Sequence, residues 1–127
     1  MIAGVGCKAG TSAGEVGAAI AEALARAGLS AAMLTALATS LAKGDEPGIA
    51  AAAAARGLKL VLVPQHDLEA AGARVITRSE RVLALTGVPS VAEAAALAAA
   101  GPASRLVGAR IAVGPATCAL AVLGDAT

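Results

Sequence analysis

No phenylalanine, tryptophan or tyrosine occurs in the 127 residues, and there are only two cysteines and one histidine. Without aromatic rings the chain has no stacking platforms for single-stranded bases. Charge is scarce as well: ten Lys plus Arg stand against nine Asp plus Glu, a net charge of +1 with no basic run. Duplex nucleic acid, which is bound chiefly by neutralising its phosphates, is therefore not an expected partner. Cys7 and Cys118 make neither a disulfide framework nor a metal-ligand spacing, which points to a reducing, cytoplasmic setting. Long apolar runs are missing too. A membrane span needs about 20 continuous apolar residues. The longest uncharged stretch, 27–42, is shorter and carries Ser30, Thr35, Thr39 and Ser40. The N-terminus has no basic residue ahead of its apolar segment, so it does not read as a signal peptide.

What is abundant is alanine, with thirty-eight residues, inside a hydrophobic fraction of 57%. Alanine buries little area, so the core has to come from the Val, Ile and Leu positions. The length fits a single domain over residues 1–127, large enough to bury a core without staples. A charged fraction of 15% leaves broad apolar surface, which makes a homodimer an expected state.

Along the chain, strands and helices alternate. Residues 2–5 form a short apolar run, followed after a Gly-rich turn by a helix over 13–27. In that helix Val16, Ile20 and Leu24 make one apolar stripe, Ser12 with Glu15 has capping-box spacing, and Gly28 suits a left-handed C-cap. Residues 30–34 suit one helical turn and 34–41 a second strand. Pro47 suits the first turn of a helix over 48–56, closed by Gly57. Residues 58–63 form a third strand, and the continuous run Leu60, Val61, Leu62, Val63 reads as covered on both faces rather than as a surface edge. Short helices follow, one ending near Gly72 and one over 79–85 capped by Ser79. A third runs over 92–100, with Ser90 and Glu93 as a second capping box and Gly101-Pro102 as its stop. Residues 105–113 and 117–123, separated by Gly114-Pro115, suggest a C-terminal hairpin. The expected fold is α/β: a three-layer α/β/α domain with a mostly parallel sheet and a C-terminal antiparallel hairpin. Ligands of such sheets sit beyond the carboxyl ends of the strands. The loops leaving those ends, 6–12, 42–46 and 64–67, would carry Lys8, Lys43, Asp45, Glu46 and His66 along one edge.

The motifs at these loops each admit more than one reading. Gly4, Gly6 and Ala9 match a G-x-G-x-x-A dinucleotide fingerprint, but no acidic residue closes the second strand, because Glu22 falls inside the first helix. Lys8 precedes Gly10, so the phosphate-loop order is absent. A turn that needs glycine only for its backbone geometry, or an anion site built from helix-start N–H groups and Lys8, remain open. Cys7 beside Lys8 and a helix start is a setting that lowers a thiol pKa and suits a nucleophile; a small half-buried residue is the alternative. His66 reads as a surface or capping residue or as a general base. Lys43, Asp45 and Glu46 suit either a solvated helix start or a site. No cluster has metal-ligand spacing, and no metal or other cofactor is implied.

Four segments taken together carry a resemblance. They are Gly-Val-Gly-Cys-Lys-x-Gly from Gly4, Leu-Ala-Thr from Leu37 followed by Lys43-x-Asp-Glu-Pro-Gly, Pro-Ser-Val-x-Glu-Ala-Ala-Ala-Leu from Pro89, and Arg-Leu-Val from Arg105. In this order they resemble the CobE proteins and the C-terminal domain of CbiG, over essentially the whole chain. The resemblance implies a part in building the corrin ring of cobalamin, with a corrinoid or precorrin intermediate as ligand and other cobalamin-pathway enzymes as candidate partners. It implies a ligand site drawn from Gly6, Cys7, Lys8, Gly10, Thr11, Ser12, Thr39, Lys43, Asp45, Glu46 and Ser90. Two activities follow from it. One is an accessory or carrier protein of the aerobic pathway. The other is a CbiG-like hydrolase that opens a precorrin lactone, with Asp45 or Glu46 as general base or Cys7 as nucleophile. A third reading keeps the Ala-rich faces for a partner enzyme.

Overall fold

The computed structural model describes residues 1–123. Three strands, β1 (Ile2–Cys7), β2 (Ala36–Ser40) and β3 (Lys59–Val63), pair in parallel in the order β3-β2-β1. Across β1 lies an antiparallel strand from the end of the chain, β6 (Ala116–Leu123), which runs from Cys7↔Ala116 to Ile2↔Ala121. Two short strands, β4 (Ser104–Leu106) and β5 (Ile111–Val113), pair antiparallel with β6.

Helices cover both faces, giving the three expected layers. On one face α1 (Ala13–Ala27) packs on β6 and β1, and α2 (Pro47–Ala55) on α1 and β3, so that Val16, Ile20, Leu24 and Ile49 share a core with Val5, Leu37 and Leu120. On the other, α3 (Gln65–Ala71) and α5 (Val91–Ala100) bury Leu68, Val88 and Leu97 against Ala38, Val63 and Ala121. A seven-residue helix, α4 (Glu80–Thr86), joins α3 to α5 and has no buried residue. No single helix among the described residues is long and apolar enough to cross a membrane.

The local signals act where they stand in the sequence. Ser12 and Glu15 form the full capping box of α1, and Gly28 ends that helix at φ 68°. Pro47 occupies the first turn of α2, and Ser79 caps α4. Four details differ from the reading of the sequence. β1 runs two residues further, because Gly6 and Cys7 pair with Thr117 and Ala116. β3 is the edge of the sheet, with Leu62 37% exposed, whereas β2 is buried throughout. The 105–113 segment breaks into β4 and β5, because residues 108–110 step out of the ladder between Val107, whose N–H still donates to the Leu120 carbonyl, and Ile111. Finally, the Glu93 side chain does not close the second capping box: Ser90 Oγ accepts the Glu93 N–H at 3.4 Å, but the carboxylate is directed to other segments.

Two glycines set how closely the layers approach. A Cβ on Gly4 would lie 2.0 Å from the Ala92 carbonyl oxygen and 2.8 Å from the Ala96 Cβ, so α5 rests its backbone directly on β1. A Cβ on Gly48 would lie 2.1 Å from the Thr11 carbonyl oxygen, which locks the start of α2 against the first loop.

Candidate functional site

Because β1, β2 and β3 are parallel, the loops that follow them emerge on one edge of the sheet. The first two are tied together: the Gly10 N–H donates to Glu46 Oε1 at 2.8 Å, and Gly48 seats on Thr11. Beside them opens a recess of about 680 Å³. This volume lies within the ordinary range for small-molecule sites. Its walls come from the end of β1 (Gly6, Cys7, Lys8), the β2 loop (Ala42, Lys43), α4 and the β5–β6 turn. Leu68, Val82, Leu85 and Val91 supply apolar surface. Four cationic side chains line it, Lys8, Lys43, Arg81 and Arg110, and no Asp or Glu does so among the described residues. None of the four is in a salt bridge among those residues.

The structure thus brings Gly6, Cys7, Lys8 and Lys43 to one recess and leaves the other sequence candidates outside its lining. Thr11 and Thr39 are buried and spent on backbone carbonyls, Thr11 Oγ1 donating to Lys8 O and Thr39 Oγ1 to Val5 O. Gly10 and Glu46 bond each other, Ser12 caps α1, and Ser90 is fully buried as the cap of α5. Asp45 is exposed on the loop. His66 projects outward, 81% exposed, with Nε2 at 3.2 Å from its neighbour Asp67. No three His, Cys, Asp or Glu side chains converge on a metal-sized site among the described residues.

The chemistry of Cys7 also differs from the expectation. Burial pushes its thiol up; the Thr11 hydrogen bond and the Lys43 charge pull it back only in part, and Glu46 adds to the rise. Cys118, buried in β6, is pushed up to about 12, again by burial. Cys7 is thus not the activated thiolate that proximity to Lys8 suggests. In the folded protein Cys7 should alkylate with iodoacetamide more slowly than a free cysteine, and Cys118 only after unfolding. Peptide mass spectrometry over a time course checks this, and faster labelling of Cys7 than of free cysteine would contradict the assignment.

Sequence reasoning misses Arg81 and Arg110. Arg81 follows Glu80 in the first turn of a short helix and is one of several charges there, so nothing local sets it apart; Arg110 sits in the interruption between β4 and β5, where an isolated cation in an apolar segment is the signal it offers. It also misses the group that holds them. Glu93, in the first turn of α5 and fully buried, accepts the N–H of Ile76 at 2.7 Å and of Thr77 at 2.8 Å on Oε1. Its Oε2 accepts the Thr77 hydroxyl and the Arg110 N–H, the latter at 2.8 Å. Burial alone would raise this carboxyl group, but the hydrogen bonds from Thr77, Arg110 and Ile76 outweigh it and hold the group below its ordinary 4.5.

A second, smaller recess of about 310 Å³ lies between α1 and residues 107–111, lined mainly by Ala, Val, Ile and Leu side chains with Arg26 and Arg110 at its border.

A family model described as cobalamin synthesis G C-terminus matches residues 1–121. Among solved structures, CobE, described as a protein from the cobalamin (vitamin B12) biosynthetic pathway, is 38% identical. It aligns over 96% of this chain and 89% of its own, with a TM-score of 0.90. The cobalamin biosynthesis protein chiG from Agrobacterium tumefaciens str. C58 is 43% identical over 98% of each chain, with a TM-score of 0.77. A putative cobalamin biosynthesis protein G homolog from Sulfolobus solfataricus shares the fold at 22% identity and a TM-score of 0.71, over 96% of this chain and 36% of that one. No curated protein sequence matches the chain.

Proposed function

The chain belongs to the cobalamin synthesis G C-terminus family of cobalamin biosynthesis proteins, and from that premise we propose that it binds a corrin-ring intermediate in the recess at the carboxyl edge of β1–β3. The observation that carries this reading is the lining of the recess: four cationic side chains, no carboxylate among the described residues, and apolar surface between them. A corrin intermediate is an apolar disc rimmed with acetate and propionate carboxylates, and this lining is complementary to it in kind, with cations for the rim and apolar surface for the disc. Lysine serves as a mobile point charge, and arginine as a two-pronged donor. The protein acts as carrier or accessory factor, as one domain in the cytoplasm.

The alternative is hydrolysis of a precorrin lactone. Asp45 and Glu46 stand outside the lining, and Cys7 has a raised thiol, so the recess holds none of the proposed bases or nucleophiles in an activated state. Binding without turnover is therefore the favoured reading. Cyanide-ligated cobyrinic acid, a coloured corrin with free carboxylates, should co-elute with the protein on gel filtration and be read in the visible. Each exposed cation contributes about 0.5–1 kcal/mol, so Lys8→Ala and Lys43→Ala should each weaken binding about two- to fivefold. Unchanged affinity in the double variant would remove the recess as the site. Acetaldehyde release from a lactone-bearing precorrin would establish the hydrolase instead.

A further inference from the structure

The recess cations have unequal supports. Lys8 and Lys43 have local ones: the Lys8 carbonyl accepts the Thr11 hydroxyl, and Lys43 lies in a single turn capped by Ser40. Arg81 and Arg110 come from poorly anchored segments. Arg81 is carried by α4, which buries no residue of its own, and Arg110 by the stretch that leaves the sheet between β4 and β5. Both segments reach one atom group, and the start of α4 has one further tie, the Ser79 N–H donating to the Pro89 carbonyl at 3.2 Å. Ile76 and Thr77, just ahead of α4, and Arg110 itself donate to the Glu93 carboxylate. The far end of α4 is held separately, by Gln65 Nε2 donating to the Thr86 carbonyl at 2.7 Å.

The setting of Glu93 is itself unusual. Its neighbours in α5 are Ala92 and Ala94 to Leu97, all buried. A carboxylate in such a layer is costly to desolvate, and packing alone could be served by an apolar residue. What an apolar residue could not do is fix two separate loops by hydrogen bonds of defined direction.

We infer that Glu93 is the positioning residue of the recess, a single buried carboxylate that fixes the Arg81 and Arg110 walls against the first turn of α5. The inference rests on the corrin-binding reading for its binding arm, and on amide exchange for an arm that needs no ligand.

Glu93→Gln keeps the shape but faces the Arg110 N–H with an amide that cannot accept on one side. Thr77→Val removes only the hydroxyl donor and serves if Glu93→Gln does not fold. Leu24→Ala, in the core of the opposite face, controls for lost stability as such. Cyanide-ligated cobyrinic acid is the probe. Folded Glu93→Gln should bind it about tenfold more weakly, with Leu24→Ala near wild type at a temperature where both are folded. In the Glu93→Gln background, Arg81→Ala and Arg110→Ala should add little, whereas Lys8→Ala should cost the same factor as in the wild type. Without ligand, amide exchange should accelerate across both α4 and residues 108–111 in Glu93→Gln and not in Leu24→Ala.

Equal costs of Arg81→Ala and Arg110→Ala in both backgrounds, or unchanged exchange in the two segments, overturns the inference. If the wild type binds and Lys8→Ala weakens it while Glu93→Gln binds normally, the inference falls and the function stands. If the wild type does not bind, the function falls and the exchange arm decides the anchor.

Discussion

Glu93→Ala is expected to cost about 2–4 kcal/mol of folding stability, because each donor left without a partner away from water costs about 1–3 kcal/mol while the carboxylate's own desolvation is relieved. The reason is an imbalance of donors. Three backbone N–H groups, those of Ile76, Thr77 and Arg110, and the Thr77 hydroxyl all donate to this carboxylate, and no buried side-chain polar atom among the described residues is left without a partner. Truncation leaves the donors facing a methyl group and opens space in the layer between α5 and the loops. Domains of this size are stable by about 5–15 kcal/mol, so the loss is a large share of the whole. Urea denaturation followed by far-ultraviolet circular dichroism measures it; a loss below about 1 kcal/mol would mean that water replaces the carboxylate at little cost. The same residue sets an acid limit. Its carboxyl lies below 4.5 when folded, so its contribution is complete above that pH and is lost as pH falls through the lower, folded value. Wild type should therefore lose stability more steeply below pH 4.5 than Glu93→Gln, which has no proton to take up there.

The second large effect is expected at Gly4. In Gly4→Ala the new methyl would sit 2.0 Å from the Ala92 carbonyl oxygen and 2.7 Å from the Ala96 nitrogen. Both atoms are backbone inside a helix, so no side chain can turn aside and α5 must lift from β1. Overpacking of this kind costs about 1–3 kcal/mol and at a backbone contact the upper end or more is expected. Gly17→Ala is the matched control. Its Cβ meets nothing within 4 Å, and it lies inside α1. There alanine is the better helix former, and stability should rise by about 0.5–1 kcal/mol. Thermal melts of the pair should move in opposite directions. A Gly4→Ala protein as stable as the parent would show that α5 can be displaced at no cost.

The helices were legible because their signals are local. Ser12 with Glu15, Pro47, Ser79 and the left-handed glycines 28 and 57 satisfy or end a helix whatever surrounds it. The place of a strand in a sheet has no such signature. Leu60 to Val63 has the apolar continuity of an interior strand yet lies at the edge, while the Ala-rich β2 is the fully covered one. Alanine there admits helices close on both sides, a property of the neighbours rather than of the strand. The same distinction divides the site. Parallel order alone could place the loops after β1 and β2 along one edge; that Lys8 and Lys43 share a recess follows from the strand order, which the sequence does not carry. Arg81 and Arg110 could not, because their positions depend on Glu93, whose spacing from Ser90 reads as a helix cap while its carboxylate serves two loops distant in sequence.

The place of β6 bears on how the chain is made. β1 lies between β2 and β6, and its second neighbour is supplied by residues 116–121. On the ribosome, Ile2–Cys7 is therefore translated long before half of its ladder exists, and α1 and α5 have no complete surface to settle on until residues past 116 leave the exit tunnel. A nascent chain of this topology keeps an open strand flank until residues 116–121 emerge, so its demand for chaperones should fall once that segment clears the tunnel.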